Sequence, residues 1–268
     1  MKQNKEIKHN VLAHDNIYNE YEQIHSEIYN LLEQDRLHQQ LKQAIGYIKT
    51  PSTPKEALDY GCGSGNLTKH LLNLGLRVTA SDISNNFLAL IKEKFGHTGK
   101  IKTLKINGQD LSNVENNQYD LVATYSVLHH IPDYLSAIKE LVRVTKKGGV
   151  IYLDHENNES FWNKSKEYEE FLKLVKVEKN WRRFFKLSKY LNKVKKTINP
   201  RYQSEGDIHV FPDNHIEWEK IADLLNNNGC EIVLKKDYLL YIKGYSVDIY
   251  QEYKNKCTDM KVLIARKK

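Results

Sequence analysis

Ala57-Leu58-Asp59-Tyr60-Gly61-Cys62-Gly63-Ser64-Gly65-Asn66-Leu67 decides how this chain is read, and Asp82 completes it. Leu58 to Tyr60 reads as a short buried strand breaking into a glycine turn, with a helix from about Asn66 to Leu74. Three glycines in five residues let the backbone turn tightly and let a ligand approach the main chain. Arg77-Val78-Thr79-Ala80-Ser81 is a second strand, closed by Asp82 roughly twenty residues downstream. At that distance a carboxylate at the strand tip can accept hydrogen bonds from ribose hydroxyls. The pair of features points to a bound nucleoside.

The glycine spacing narrows it. A dinucleotide fingerprint needs G-x-G-x-x-G, with the last glycine packing helix on strand. Here the glycines fall at Gly61, Gly63 and Gly65, and Asn66 stands where the third belongs. Asp59 precedes the loop, and its carboxylate would repel a pyrophosphate while suiting a cation. This D-x-G-C-G-x-G run resembles the first motif of class I S-adenosylmethionine-dependent methyltransferases, whose cofactor carries a sulfonium and an α-amino group.

Alternation of strand and helix continues beyond the loop. Ser84 to Phe95 reads as a helix with Ser84 as N-cap, Ile101 to Ile106 as a strand and Tyr119 to Tyr125 as another. A helix over Asp133 to Thr145 leads through Gly148-Gly149 into a strand at Val150 to Asp154. A helix at Glu217 to Asn227 and strands at Glu231 to Leu240 and Lys261 to Ala265 follow. The predicted fold is α/β: a Rossmann-like, doubly wound, seven-stranded methyltransferase sheet with N-terminal helices and a helical cap insertion. Its last two strands are expected to pair antiparallel. The expected parts are an N-terminal helical segment over 1–54, a cofactor-binding core over 55–156, a basic cap insertion over 157–212, and a C-terminal part of the core over 213–268. The resemblance covers 55–156 well and the last strands by pattern only.

The resemblance implies roles for particular residues. Asp59, Gly61, Cys62, Gly63, Gly65 and Asn66 would surround the cofactor, with Cys62 equally explained as a small packing residue. Asp82 and Ile83 would meet the ribose, Asp110 the adenine amino group, and the Leu111 backbone N–H a ring nitrogen. Tyr125 and Ser126 end a central strand, where ligands bind in such sheets. Val127-Leu128-His129-His130-Ile131-Pro132-Asp133 is similar to the small-molecule branch of the family. It departs from the Asp/Asn-Pro-Pro-Tyr/Phe motif by which DNA-base methyltransferases grip a planar nitrogen.

Tyr18 and Tyr21, three apart on one helical face with His25 nearby, fit either closure over the methionine end or plain amphipathic packing. His130, His155 and His209 are the candidate acid–base residues, although paired histidines of this branch mostly shape a loop. Asp207, His209, Asp213 and His215 have metal-ligand chemistry, but an Asn214–Glu217 capping box accounts for much of that stretch, so no metal is expected.

Composition bounds the remainder. The 268 residues carry a net charge of +7, yet residues 161 to 202 alone hold 13 Lys and Arg against four acids. The basicity therefore belongs to one segment, whose apolar residues from Trp181 recur as in an amphipathic helix. A cap over the site, a membrane-surface contact and a polyanion contact all fit, and an anionic or lipid-linked substrate would be drawn there. Three cysteines without framework spacing, no signal-like N-terminus and no apolar span point to the cytoplasm. The reading is an S-adenosylmethionine-dependent transfer to oxygen or nitrogen of a small molecule. An RNA or protein methyltransferase and a non-catalytic cofactor-binding scaffold are the alternatives.

Overall fold

Strands buried on both faces need apolar side chains pointing both ways, and β4 (Tyr119–Tyr125) shows it: all seven residues are buried. The computed structural model describes residues 27–175 and 216–268. In these, α1 (Leu31–Gly46) precedes β1 (Glu56–Tyr60), α2 (Asn66–Asn73), β2 (Arg77–Asp82), α3 (Asn85–Phe95), β3 (Ile101–Lys105) and β4. There follow α4 (Tyr134–Val144), β5 (Thr145–Asn157), α5 (Glu159–Trp162), α6 (Lys166–Leu174), α7 (Trp218–Asn227), β6 (Cys230–Tyr238), α8 (Val247–Tyr253) and β7 (Met260–Lys267).

The strands form one seven-stranded sheet in the order β3-β2-β1-β4-β5-β7-β6. β1 to β5 pair parallel, while β7 runs antiparallel to β6, as the sequence predicts, and also to β5. From β1 the chain winds outward through β2 and β3, then returns to β4 and winds the other way. That reversal opens a crevice at the carboxyl ends of β1 and β4, where such sheets bind ligands. One face is covered by α4 and α7, with Ile138, Leu141, Trp218 and Ile221 buried; the other by α1 and α2, with Leu37, Leu41, Leu67 and Leu71. A smaller apolar cluster joins Tyr168 and Phe171 of α6 to Leu239, Tyr253 and Cys257.

Three expectations are altered. Regular pairing of β5 with β4 starts at Val150, but the strand itself spans Thr145 to Asn157, with Gly148 and Gly149 inside an irregularity. Gly149 is obligatory there, since a Cβ would stand 2.9 Å from Lys146 O and 3.0 Å from Asp120 O. Glu217, expected to stand three residues into a helix capped by Asn214, is itself the N-cap of α7, and its carboxylate pairs with Lys220. Asn214 lies outside the described residues, as does the amphipathic stretch from Trp181. Helix α8 was not anticipated, because seven residues are too few for a 3.6-residue period to register.

A buried ion network ties α1 to the ligand edge of the sheet. Arg36 donates to Glu33 at 2.5 and 2.8 Å and to Asp154 Oδ2 at 2.8 Å, and its guanidinium lies 3.9 Å over the Tyr238 ring. Tyr125 donates to Glu33 at 2.8 Å, while Tyr152 and Tyr238 donate to Asp154. Removing the cation would leave two buried carboxylates uncompensated. Arg36→Met is therefore expected to cost about 3–5 kcal/mol of stability in urea unfolding. A loss below about 1 kcal/mol would mean the network contributes little.

Candidate active site

The loop hangs from β2: the N–H groups of Gly61 and Cys62 both donate to Ser81 O at 2.9 Å. Asp82 braces it from the end of the same strand. Its Oδ2 accepts from Gly63 N at 2.9 Å and its Oδ1 from Ser84 N at 2.8 Å, while Ser84 caps α3 by accepting from Phe87 N. Gly61 has φ +76°, and a Cβ would overlap the Val127 methyls at 2.6 and 2.7 Å. Gly65, at φ +96°, would drive a Cβ into Ile91 and Phe95. Gly65 thus takes the helix-packing duty that the missing third Rossmann glycine would perform.

Above the loop lies an open cavity of about 980 Å³, solvent mouth included. Its wall contains Gly61, Cys62, Gly63, Asn66, Asp82, Ile83, Tyr125 and Ser126 of the residues expected to hold a cofactor. Cys62 is a buried thiol packed with Ala80, Leu88 and Ile91, and burial pushes its pKa well up, so it acts as a small filler. Ile28, Tyr29, Tyr60, Phe87, Ile106, Val127 and Ile131 make the rest of the wall largely apolar. Tyr29 OH lies 2.5 Å from Ser64 Oγ, bringing an N-terminal tyrosine to the cavity. Tyr18 and Tyr21, for which that position was expected, lie outside the described residues.

Asp59, Gly65, Asp110 and Leu111 stand outside this wall. Asp110 Oδ1 accepts from Ser112 N, Ser112 Oγ and Asn107 Nδ2, so that oxygen is spent on its own turn. The Leu111 N–H donates to Glu140 Oε2 at 3.0 Å and is not turned to a ligand. Asp59 lies beneath the loop, fully buried; Thr68 bonds its Oδ2, and its Oδ1 has no partner.

The histidines separate by position. His130 lines the cavity. His129 bonds Glu156 Oε2 at 2.7 Å, and Glu156 Oε1 accepts from Val127 N and Leu128 N, so this pair shapes the loop after β4. His155, at φ +62°, is buried behind Tyr125 with ring centroids 4.6 Å apart and neither ring nitrogen bonded; burial lowers its pKa. His209, with Asp207, Asp213 and His215, lies outside the described residues; among the described residues no cluster could hold a metal. Glu33, Arg36, Tyr29 and Glu156 are contributors the sequence did not mark, since each acts through partners far along the chain; Thr68, unmarked too, holds Asp59 from nine residues away.

The donor set fits a zwitterionic sulfonium cofactor. Asp59 Oδ1 is an orphaned acceptor beneath the loop, Asn66 Nδ2 an orphaned donor in the wall, and the Cβ position of Gly63 meets nothing within 4 Å. Burial, with the neighbouring Asp82 charge adding to it, pushes the Asp59 carboxyl up to about 7. An unfolded aspartate releases its proton near pH ~4, whereas folded Asp59 keeps it to about 7. Between those values the unfolded state binds fewer protons, so this residue makes stability fall as pH rises and level off above the upper value. Asp59→Asn is expected to flatten that slope in urea titrations across the window and to be more stable than the parent above it. An unchanged slope would refute the assignment.

Residues 58–153 match the family model described as a methyltransferase domain. A ubiquinone biosynthesis O-methyltransferase of Nitrosospira multiformis is 29% identical over 119 residues, covering 43% of this chain and 50% of the relative. A demethylmenaquinone methyltransferase of Staphylococcus aureus is 37% identical over 100 residues, covering 36% of this chain and 41% of the relative. The chain thus spans about half the length, or less, of these curated relatives. A solved S-adenosylmethionine-dependent methyltransferase from Methanosarcina mazei shares the fold, with a TM-score of 0.53 and 21% identity over 83% of this chain and 95% of the other. Residues 58–153 thus match a methyltransferase domain, and the sheet order, the glycine loop and the braced Asp82 go with the fold shared with the solved S-adenosylmethionine-dependent methyltransferase.

Proposed function

We propose that this protein transfers a methyl group from S-adenosylmethionine to an oxygen or nitrogen of a small-molecule acceptor. The observation that carries the reading is the cavity at the β1/β4 reversal, with the Asp82-braced glycine turn on one side and an apolar slot on the other. Ile83, Phe87, Ile106 and Ile131 offer flat apolar contact to an adenine, and the Asp82 carboxylate is placed to accept from ribose hydroxyls. Asn66 and Tyr29 flank the amino-acid end. The Leu111 N–H is not part of the proposed adenine contact, because it donates to Glu140, and Asp110 spends one carboxylate oxygen on its own turn.

When bound, S-adenosylmethionine supplies an electrophilic methyl on a sulfonium, attacked in line by the acceptor. The residues of this chain then bind, align and exclude water. Tyr125, fixed by its bond to Glu33, forms a rigid wall at the methyl end. Of the two histidine candidates among the described residues, His130 is in the cavity wall and is assigned to accept an acceptor proton; His155 is buried behind Tyr125. The relatives named for ubiquinone and menaquinone methylation support a small, lipid-linked acceptor rather than RNA or protein. No helix among the described residues is long and apolar enough to cross a membrane. The free thiols of Cys62, Cys230 and Cys257 favour a cytoplasmic setting.

Calorimetry with S-adenosylmethionine, S-adenosylhomocysteine and NAD tests the core of this reading, with binding expected for the first two only. Binding of NAD alone would overturn it. Asp82→Ala is expected to weaken S-adenosylmethionine at least about tenfold, the loss of charge-assisted hydrogen bonds. Methyl transfer is then scored with labelled cofactor on demethylated quinone precursors and simple catechols. On an accepted substrate, His130→Gln is expected to lower kcat about 10²–10⁴-fold and remove the acidic limb of the pH profile. A kcat unchanged by His130→Gln would remove His130 as the base.

A further inference from the structure

One hydrogen-bond chain runs from the outer side of α1 into the cavity wall. His38 Nδ1 lies 3.4 Å from His70 Nδ1, and His70 Nε2 lies 3.0 Å from Gln34 Oε1. Gln34 Nε2 reaches Ile28 O at 3.0 Å and Asn66 Oδ1 at 2.8 Å. Its direction is forced by the one member that cannot reverse. The Ile28 carbonyl only accepts, so the nitrogen of Gln34 faces it and the oxygen of Gln34 faces His70. His70 must then carry its proton on Nε2, and its bare Nδ1 accepts from His38 Nδ1–H. Burial lowers His70 to about 4, which keeps the ring neutral as this scheme requires.

The second hydrogen of the Gln34 amide fixes Asn66 in turn, with its oxygen toward Gln34. Its Nδ2 is left buried without a partner, on a side chain that is 9% exposed and lines the cavity. Asn66 is also the first residue of α2, whose N-cap Gly65 provides no capping side chain. A donor-only group at the positive end of a helix answers an anion and opposes an ammonium.

We infer that the Asn66 amide holds the carboxylate of the cofactor's amino-acid end, and that His38, His70 and Gln34 are positioning residues that keep its N–H groups turned to the ligand. This rests on the S-adenosylmethionine reading above, and it assigns which end of the amino acid faces α2. The cofactor's α-ammonium is accordingly directed away from Asn66.

Calorimetry with S-adenosylmethionine and decarboxylated S-adenosylmethionine separates the two ideas. The parent is expected to prefer the carboxylated form by about ten- to hundredfold. Asn66→Asp, nearly isosteric but with an acceptor in place of the donor, is expected to abolish that preference. Gln34→Glu, which cannot donate to Ile28 O or Asn66, is expected to reduce it. Equal affinity of the parent for both ligands, or a preference that survives in Asn66→Asp, overturns the carboxylate assignment. Failure of the parent to bind either ligand overturns the cofactor reading instead. Nitrogen-15 NMR of the parent, which needs no variant to fold, is expected to show the Nε2–H form of His70 and the Nδ1–H form of His38. The opposite forms overturn the positioning role.

Discussion

Two hydrogen bonds to one carboxylate hold the ligand edge together. Asp82 accepts from Gly63 on the glycine loop and from Ser84 at the start of α3, so a single side chain sets the loop against the next helix. Gly61 and Cys62 reinforce this by sharing Ser81 O, and Gly65 presses the far end of the loop onto Ile91 and Phe95. The same carboxylate lines the cavity, so bracing and recognition cannot be separated at this residue. A loop held from both ends keeps its shape, and the open Cβ side of Gly63, without reordering when a ligand arrives.

Around this brace, buried charge is arranged by neighbourhood rather than by sequence order. Glu33, Arg36 and Asp154 come from helix α1 and strand β5, and they meet where Tyr125 ends β4. The consequence for the site is geometric: the wall at Tyr125 is fixed through α1, so the N-terminal helix is part of the site's frame. Glu156 does the same for the loop after β4, gripping Val127, Leu128 and His129 at once. That accounts for the paired histidines, since one is a strut and the other faces the cavity.

Much of the fold was legible beforehand because its signals are local. Burial on both faces of β4, the Ser84 cap, and the Gly61–Gly65 turn each follow from residues within a few positions of one another. The errors have local causes too. Helix α8 is too short for periodicity to register, and Glu217, expected to complete a capping box begun by Asn214, is itself the N-cap of α7. The Leu111 N–H carried an expectation from motif order, but Glu140 is close enough to claim it, while Ser112 and Asn107 claim one oxygen of Asp110.

From the sequence alone came the α/β class, the alternation of strand and helix, the glycine turn and the acidic Asp59 ahead of it, because strand period, glycine spacing and charge sign are written in consecutive residues. Tertiary structure alone decided which polar groups remain unspent. Whether Asn66 presents nitrogen or oxygen depends on Ile28 and Gln34, which turn it, and which of two adjacent histidines braces the loop depends on a carboxylate 27 residues away. Hydrogen-bond capacity is a property of the residue type, but its allocation is settled only when distant partners are brought within about 3 Å.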